Sequence, residues 1–174
     1  RRDLTINAIA KDEDGNLIDP YGGINDIKKN IFRHVSNAFS EDPLRAIRLA
    51  RFHTYEHLNK FSIAEETKKL LEIIVESQEI KNLSPDRVWT ETERALSSSN
   101  PNIYFEVLLK FKLHLPYFEA LNVPVCNSSL ENQIKWSELQ INNKFLLGDQ
   151  LPVPNSYKNA AYVLEMLLKI NNNQ

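Results

Sequence analysis

The chain has 174 residues, of which 42% are hydrophobic and 25% are charged, a balance typical of globular proteins. This composition excludes a disordered chain, a collagen and a low-complexity repeat, and no apolar run approaches the roughly 18 residues of a membrane span. The formal net charge of −2 gives no indication of nucleic-acid binding, so such binding would need a local basic patch.

The first forty residues predict a small α/β unit. Apolar and polar side chains alternate from Leu4 to Ala10, which predicts a strand. The segment Asp12–Asn16 is rich in turn-forming residues and predicts a reversal of the chain. The further elements predicted here are a return strand at 17–18, a loop at 19–23, a short helix at 24–29 and a strand at 31–35.

From residue 41 onward the pattern is helical. Pro43, Pro85 and Pro101 each stand where a first-turn proline suits a helix, and the last two follow typical N-cap residues, Ser84 and Asn100. The helices predicted are 43–55, 64–76, 85–97, one that begins at 101, 129–140 and 156–168. The whole pattern predicts a mainly α fold with a small α/β N-terminal part.

The segment Glu41–Phe52 contains the most informative cluster of charged residues. Arg45, Arg48 and Arg51 recur at every third position, which places them within about 120° of one another on a helix. Glu41 lies four residues before Arg45 and can orient its guanidinium.

Asp42 and Arg45 together offer a hydrogen-bond acceptor beside a rigid fork of donors. The Watson–Crick edge of cytosine or adenine presents an amino donor beside a ring-nitrogen acceptor, whereas uracil and guanine present a protonated ring nitrogen. An Asp–Arg pair would match the first two bases and leave donors facing donors with the others, which discriminates strongly in a buried site. On spacing alone, an ordinary salt-bridged helix face is the commoner explanation.

The charged run Arg1-Arg2-Asp3, which precedes the strand-like stretch, also has two interpretations. Such residues at a strand edge can hold phosphates and a ribose hydroxyl. They can equally form a solvated edge with protective charges, which composition alone favours.

Four segments together resemble the motifs of one family, in that family's order. These segments are Arg1–Ala8, Asp19–Ile27, Glu41–Arg45 with Arg48, Arg51 and Phe52 at matching positions, and Leu83–Glu93. The family is that of the bacterial class II tRNA nucleotidyltransferases, the CCA-adding enzymes, with their poly(A) polymerase relatives. The resemblance covers about residues 1–120.

The resemblance implies that a nucleotide is bound between a head and a neck. It implies that Arg2 contacts this nucleotide and that Asp3 contacts its ribose. Asn7 belongs to the same motif and is expected among the nucleotide-binding residues.

The third motif implies the residues that select the nucleotide. Asp42 and Arg45 would read the edge of the base, with Glu41 holding Arg45. Arg48 and Arg51 would line the same pocket and meet phosphates or the tRNA 3′ end.

The resemblance also implies a division of the chain. The expected parts are the end of an incomplete nucleotidyltransferase head at 1–38, a helical, nucleotide-selecting neck at 39–120 and a helical body segment at 121–174.

The family's metal-binding Asp-x-Asp and phosphate loop precede the Arg-Arg-Asp motif. Here the Asp-x-Asp is Asp12-Glu13-Asp14, which follows the motif and is interpreted as a surface turn. Mg²⁺ ligands are therefore expected upstream of Arg1, no metal ligand or catalytic residue is expected within the chain, and the chain alone is expected to be inactive. Members of one subgroup, which carry a C-terminal phosphohydrolase domain, have a His-Asp metal dyad. None of His34, His53, His57 and His114 is followed by Asp, and these histidines are expected at the surface or behind the site.

The activity implied is template-independent addition of CMP and AMP to tRNA 3′ ends from CTP and ATP. A bacterial poly(A) polymerase is the closest alternative, and a non-catalytic RNA-binding module is the alternative from another class. The expected partners are tRNA, CTP and ATP, without a membrane, and the sequence predicts no particular oligomeric state.

Cys126 is the single cysteine and favours a reducing, cytoplasmic setting. Trp89 is expected in the core.

Overall fold

The computed structural model describes residues 3–126 and 131–171 and is mainly helical, as the sequence predicts. Seven α-helices are the main elements of this described part. They are α1 (Gly23–Lys29), α2 (Leu44–Phe52), α3 (Glu65–Glu76), α4 (Pro85–Leu96), α5 (Pro101–Lys110), α6 (Asn132–Asn142) and α7 (Asn155–Asn171).

Short strands and 3₁₀ helices make up the small α/β part and one later turn. The strands are β1 (Ala10–Lys11), β2 (Leu17–Ile18), β3 (Ile31–Phe32) and β4 (Ser62–Ile63). The 3₁₀ helices are Thr5–Asn7, Asn37–Glu41 and Glu79–Asn82.

The strands form two separate pairs. β1 and β2 are antiparallel, and the predicted turn between them is confirmed: the Asp12 carboxylate accepts hydrogen bonds from the backbone (2.7 Å) and side chain (3.1 Å) of Asn16. The hydrogen bond from the Asn16 side chain is the main reason that the pKa of Asp12 is lowered. β3 and β4 are parallel, so the chain between them is a crossover that contains α2.

The strand predicted over 4–10 is wrong. Residues Thr5–Asn7 form a 3₁₀ helix, and Leu4 makes only a single bridge, to His34. The reason is local hydrogen bonding, because the Asp3 carboxylate accepts bonds from the backbone N–H of Leu4 and the side chain of Asn7, each at 2.9 Å. Such side-chain bonds compete with a strand ladder. The strand predicted at 31–35 is also shorter in the structure, at Ile31–Phe32.

The helix starts follow the prolines. Pro85 and Pro101 are the first residues of their helices, and Pro43 immediately precedes α2. At such positions the missing N–H costs nothing and the fixed φ suits the first turn. The predicted start at Ser129 lies outside the described residues, and α6 is described from Asn132.

A continuous hydrophobic core runs from Leu4 to Tyr157 and crosses both predicted domain boundaries, which stay predictions. Trp89 is buried in it, as predicted, and packs edge-on against Trp136 and Tyr157. Within the described residues, no helix combines the length and apolarity that crossing a bilayer requires.

His53 is not one of the surface histidines that the sequence predicts as one alternative, because it lies in the core with 7% exposure. Its two ring nitrogens contact the backbone carbonyls of Leu49 (3.2 Å) and Phe61 (3.1 Å). Burial lowers the pKa of this imidazole, although the two carbonyl contacts oppose that shift, and the ring joins the end of α2 to the segment before β4.

A chain of polar contacts fixes the first 3₁₀ helix against the rest of the N-terminal unit. The Thr5 hydroxyl donates to the buried carboxylate of Asp26 on α1 (2.7 Å), and Asp26 accepts from the Arg33 guanidinium at 3.2 Å. Arg33 also pairs with Glu66 on α3. Gly23 lies beneath this turn, where an added Cβ would stand 2.3 Å from the Thr5 carbonyl oxygen.

Gly23→Ala should lower the free energy of unfolding by about 1–3 kcal/mol, because the turn would have to move away from the new methyl group. Gly22→Asn is the matched control: nothing lies within 4 Å of an added Cβ there, and asparagine tolerates the positive φ of 74°. Urea unfolding followed by circular dichroism measures both variants. Equal stability of Gly23→Ala and the wild type would contradict the proposed close packing.

Candidate functional site

Helix α2 positions the predicted arginines. Its apolar face is buried, including Ile47 and Leu49, so its orientation is set by the core. Arg45 and Arg48, three residues apart, are half-buried on the opposite side of the helix.

Asp3 is held beside α2, and its predicted contact with a ribose stays a prediction. Its carboxylate is only 6% exposed, and one oxygen accepts hydrogen bonds from the backbone of Leu4 and from Asn7. The other oxygen, Oδ2, lies 3.0 Å from a terminal nitrogen of Arg48. The structure therefore brings three of the predicted residues, Asp3, Asn7 and Arg48, into one contact group.

This contact group retains unused hydrogen-bonding capacity. Asp3 Oδ2 and Arg48 Nε are both buried, and neither makes a well-aligned hydrogen bond within the described residues. The Arg48 guanidinium lies 5.8 Å from the centroid of the Phe52 ring, and its side chain is 39% exposed. An acceptor and a donor left in this state suit a hydroxyl-bearing or anionic ligand.

Asp42 and Arg45 stand at the start of α2, but each contacts a different partner. Asp42 accepts a bond from the Leu44 backbone at 3.3 Å and pairs with Arg87 of α4 at 2.9 Å. Arg45 donates to the backbone carbonyl of Ala38. The predicted base-reading pair is thus present as a separately held acceptor and donor.

Two further predicted residues are placed less fully. Glu41 is the exposed last residue of the second 3₁₀ helix, one position before Asp42, and its predicted hold on Arg45 stays a prediction. Arg2 lies outside the described residues.

Arg51 differs most from its predicted location. Its guanidinium is buried between α2 and α4, where it pairs with Glu91 at 2.5 Å, and both side chains are 7% exposed. It also donates to the Tyr55 hydroxyl and lies 4.6 Å from the centroid of the Phe52 ring. This placement gives Arg51 a packing role apart from Arg45 and Arg48, and its contact with a nucleotide stays a prediction.

The sequence analysis did not identify Arg87 and Glu91 as the ion-pair partners of Asp42 and Arg51. Both lie in the neck motif Leu83–Glu93, four positions apart on α4, so they share the face that meets α2. That shared spacing was a usable signal, although it does not identify the partners.

The carboxylates of the described residues do not form a metal centre. No group of three His, Cys, Asp or Glu side chains with suitable placement exists among residues 3–126 and 131–171. Asp12 of the Asp-x-Asp directs both carboxylate oxygens to Asn16 within the β1–β2 turn.

Comparison with known proteins identifies two family regions. The "Poly A polymerase head domain" matches residues 1–33. The "Probable RNA and SrmB-binding site of polymerase A" matches residues 60–123.

Curated relatives match at substantial identity. The chain is 59% identical over 123 residues to a CCA-adding enzyme of Buchnera aphidicola, which covers 71% of this chain and 29% of that protein. It is 56% identical over 110 residues to a multifunctional CCA protein of Haemophilus influenzae, covering 63% of this chain and 26% of that protein. The chain thus spans less than a third of the length of these relatives.

Solved structures agree in fold. The Bacillus stearothermophilus CCA-adding enzyme in complex with CTP is 26% identical with a TM-score of 0.79, covering 97% of this chain and 46% of that chain. A tRNA-processing enzyme complex is 26% identical with a TM-score of 0.70, covering 99% of this chain and 56% of that chain. From the motifs, the fold and these matches together, the chain belongs to the nucleotidyltransferase family of CCA-adding enzymes and poly(A) polymerases.

Proposed function

We propose that this chain is the nucleotide-selecting part of a CCA tRNA nucleotidyltransferase, which adds CMP and AMP to tRNA 3′ ends. The observation that carries the proposal is the contact group at α2: the first and third family motifs meet there through the Asp3–Arg48 ion pair. The identity of 59% to a CCA-adding enzyme supports the same activity.

In the proposed reaction, the tRNA 3′ hydroxyl attacks the α-phosphate of CTP or ATP and pyrophosphate leaves. The residues of this chain bind and orient the nucleotide. Asp3 would accept a hydrogen bond from the ribose, because its buried carboxylate is an acceptor held by Asn7 and Leu4. Arg48 would contact phosphate oxygens or the tRNA 3′ end through the donors that Asp3 leaves unused.

Selection of the base would fall to Asp42 and Arg45. Asp42 would accept from the exocyclic amino group of cytosine or adenine, and Arg45 would donate to the adjacent ring nitrogen. Uracil and guanine would place donors against Arg45, which leaves polar groups without partners.

Mg²⁺, which the family resemblance implies, would polarise the attacking hydroxyl and neutralise charge on the phosphates. The described residues contain no group of three His, Cys, Asp or Glu side chains that could hold the ion, and we propose no ligand among them. We also propose a cytoplasmic location, in keeping with the single cysteine, Cys126, whose buried thiol has its pKa raised to about 11.

A poly(A) polymerase is the second candidate, because both matching family regions carry the name of that enzyme. The two activities differ in their use of CTP. A non-catalytic RNA-binding module is the third candidate, and it differs from both enzymes because it would bind tRNA without adding nucleotides.

Grafting this chain's matching segment into the Buchnera enzyme, in place of its own 123 aligned residues, should preserve CCA addition. The assay uses tRNA that lacks its 3′ CCA, with labelled CTP or ATP and Mg²⁺. We expect CMP and then AMP to be incorporated, and no turnover by the isolated chain. Runs of AMP without CMP would favour the poly(A) polymerase, and retained tRNA binding without incorporation would favour the RNA-binding module.

Arg45→Ala in the same chimaera should reduce discrimination against UTP and GTP. The Arg45 fork supplies the donor that a protonated ring nitrogen opposes, so its removal should narrow the CTP-to-UTP ratio of kcat/KM by about tenfold or more. Arg94→Gln in the same chimaera is the control, because Arg94 is an exposed arginine on α4 and is not among the predicted nucleotide-binding residues. Unchanged selectivity with only a lower rate would contradict the base-reading role.

Arg48→Gln and Arg51→Gln should have different effects in the isolated chain. Arg48→Gln should weaken CTP binding by about tenfold and tRNA binding by less, because tRNA contacts other surfaces. Arg51→Gln should instead lower the free energy of unfolding by about 3 kcal/mol, because the buried Glu91 carboxylate would keep only the longer contact with the exposed Arg94, at 3.6 Å. Titrations with CTP and tRNA at two salt concentrations, with urea unfolding, measure both. Collapse of tRNA binding in Arg48→Gln at unchanged CTP affinity would place Arg48 on the RNA surface instead.

A further inference from the structure

We propose that Arg87 is a positioning residue for base selection: it fixes the Asp42 carboxylate as the acceptor that recognises an exocyclic amino group. This inference rests on the proposed function and assigns a specificity role to a helix, α4, that carries none of the predicted nucleotide-binding residues. Selectivity for cytosine and adenine over uracil and guanine would then depend on residue 87.

One terminal nitrogen of Arg87 is shared between the two carboxylate oxygens of Asp42. A terminal nitrogen of Arg87 lies 2.9 Å from Oδ2 and 3.3 Å from Oδ1 of Asp42, between the two oxygens. The Leu44 backbone N–H approaches Oδ1 from the helix side at 3.3 Å. The carboxylate is therefore held from two directions, while its side chain stays 33% exposed and retains lone pairs for a ligand.

Orientation is what base reading requires of this carboxylate. The terminal torsion of an aspartate has broad wells, so one long backbone bond would leave its plane free to rotate. A base edge presents its donor and acceptor in a fixed plane, and a rotating acceptor would not distinguish an amino group from a carbonyl. Arg87 removes that freedom from a position 45 residues away in sequence.

Arg87 also keeps Asp42 and Arg45 available to a ligand. Two opposite charges three residues apart at a helix start can neutralise one another. Among the described ion pairs, Asp42 is joined to Arg87, while Arg45 donates to the Ala38 carbonyl. Asp42 and Arg45 therefore each bond to a different partner, and among the described ion pairs they do not pair with one another.

The test compares CTP and UTP affinity in the 174-residue chain, measured by titration. The variants are Arg87→Gln, Arg87→Lys and Asp42→Asn, with Arg94→Gln as the matched control. Arg94 is an exposed arginine on the same helix, 3.6 Å from Glu91. We expect the wild type and Arg94→Gln to prefer CTP, and Arg87→Gln to lower the CTP-to-UTP affinity ratio by about tenfold. Arg87→Lys should restore part of the ratio.

If Arg87 acts through Asp42, its substitution should have no further effect once Asp42 is replaced, whereas a general loss of structure would still lower the ratio. In the Asp42→Asn background, Arg87→Gln should change the ratio no further. If Arg87→Gln keeps the wild-type ratio while Asp42→Asn loses it, the inference is wrong and the proposed function stands. If the wild type itself binds CTP and UTP equally, both are overturned. Should circular dichroism show that Arg87→Gln unfolds, Arg87→Lys decides: an unchanged ratio overturns the inference, and a ratio between those of the wild type and Asp42→Asn supports it.

Discussion

The orientation of α2 is the constraint on which the rest of the site depends. Its apolar face is buried in the core, and three arginine–carboxylate pairs tie the helix and the residues just before it to neighbouring segments: Arg48 with Asp3, Asp42 with Arg87, and Arg51 with Glu91. Ion pairs of this kind contribute little net stability, because desolvation offsets most of their attraction. These pairs set the orientation of charged side chains, because each fixes one charged group on α2 or just before it relative to a segment distant in sequence.

The pairs on α2 differ in burial, and the difference separates packing from recognition. Arg51 and Glu91 are each 7% exposed, so this pair belongs to the interface between helices. Asp42 and Arg87 are 33% and 49% exposed, in a setting where a salt bridge stabilises the fold by about 0–1 kcal/mol. A pair with so small a stabilising effect can be perturbed without unfolding the chain, which makes its influence on a ligand separable from its influence on stability.

Hydrophobic periodicity and first-turn prolines predicted the helices and the mainly α fold, because both features act locally. The strand predicted over 4–10 was wrong because the Asp3 carboxylate bonds to Leu4 and Asn7 nearby, and the Thr5 hydroxyl bonds to Asp26, 21 residues later, neither of which alternation reveals. In the site, spacing placed three arginines on one side of α2 but could not separate Arg51 from the other two. That separation depends on Glu91, 40 residues later, and no short-range pattern specifies such a pairing.

The near-neutral net charge of −2 is matched at the site, where the arginines of α2 already have partners. The three arginines of α2 are each engaged by a carboxylate or carbonyl, which offsets part of their positive charge. A nucleotide entering the site must exchange contacts with groups that are already held, and the strength of binding then depends on how well its edges match those groups. A site of this kind favours discrimination over general attraction of phosphates, since an anion without a matching base offers less to replace the contacts that it displaces.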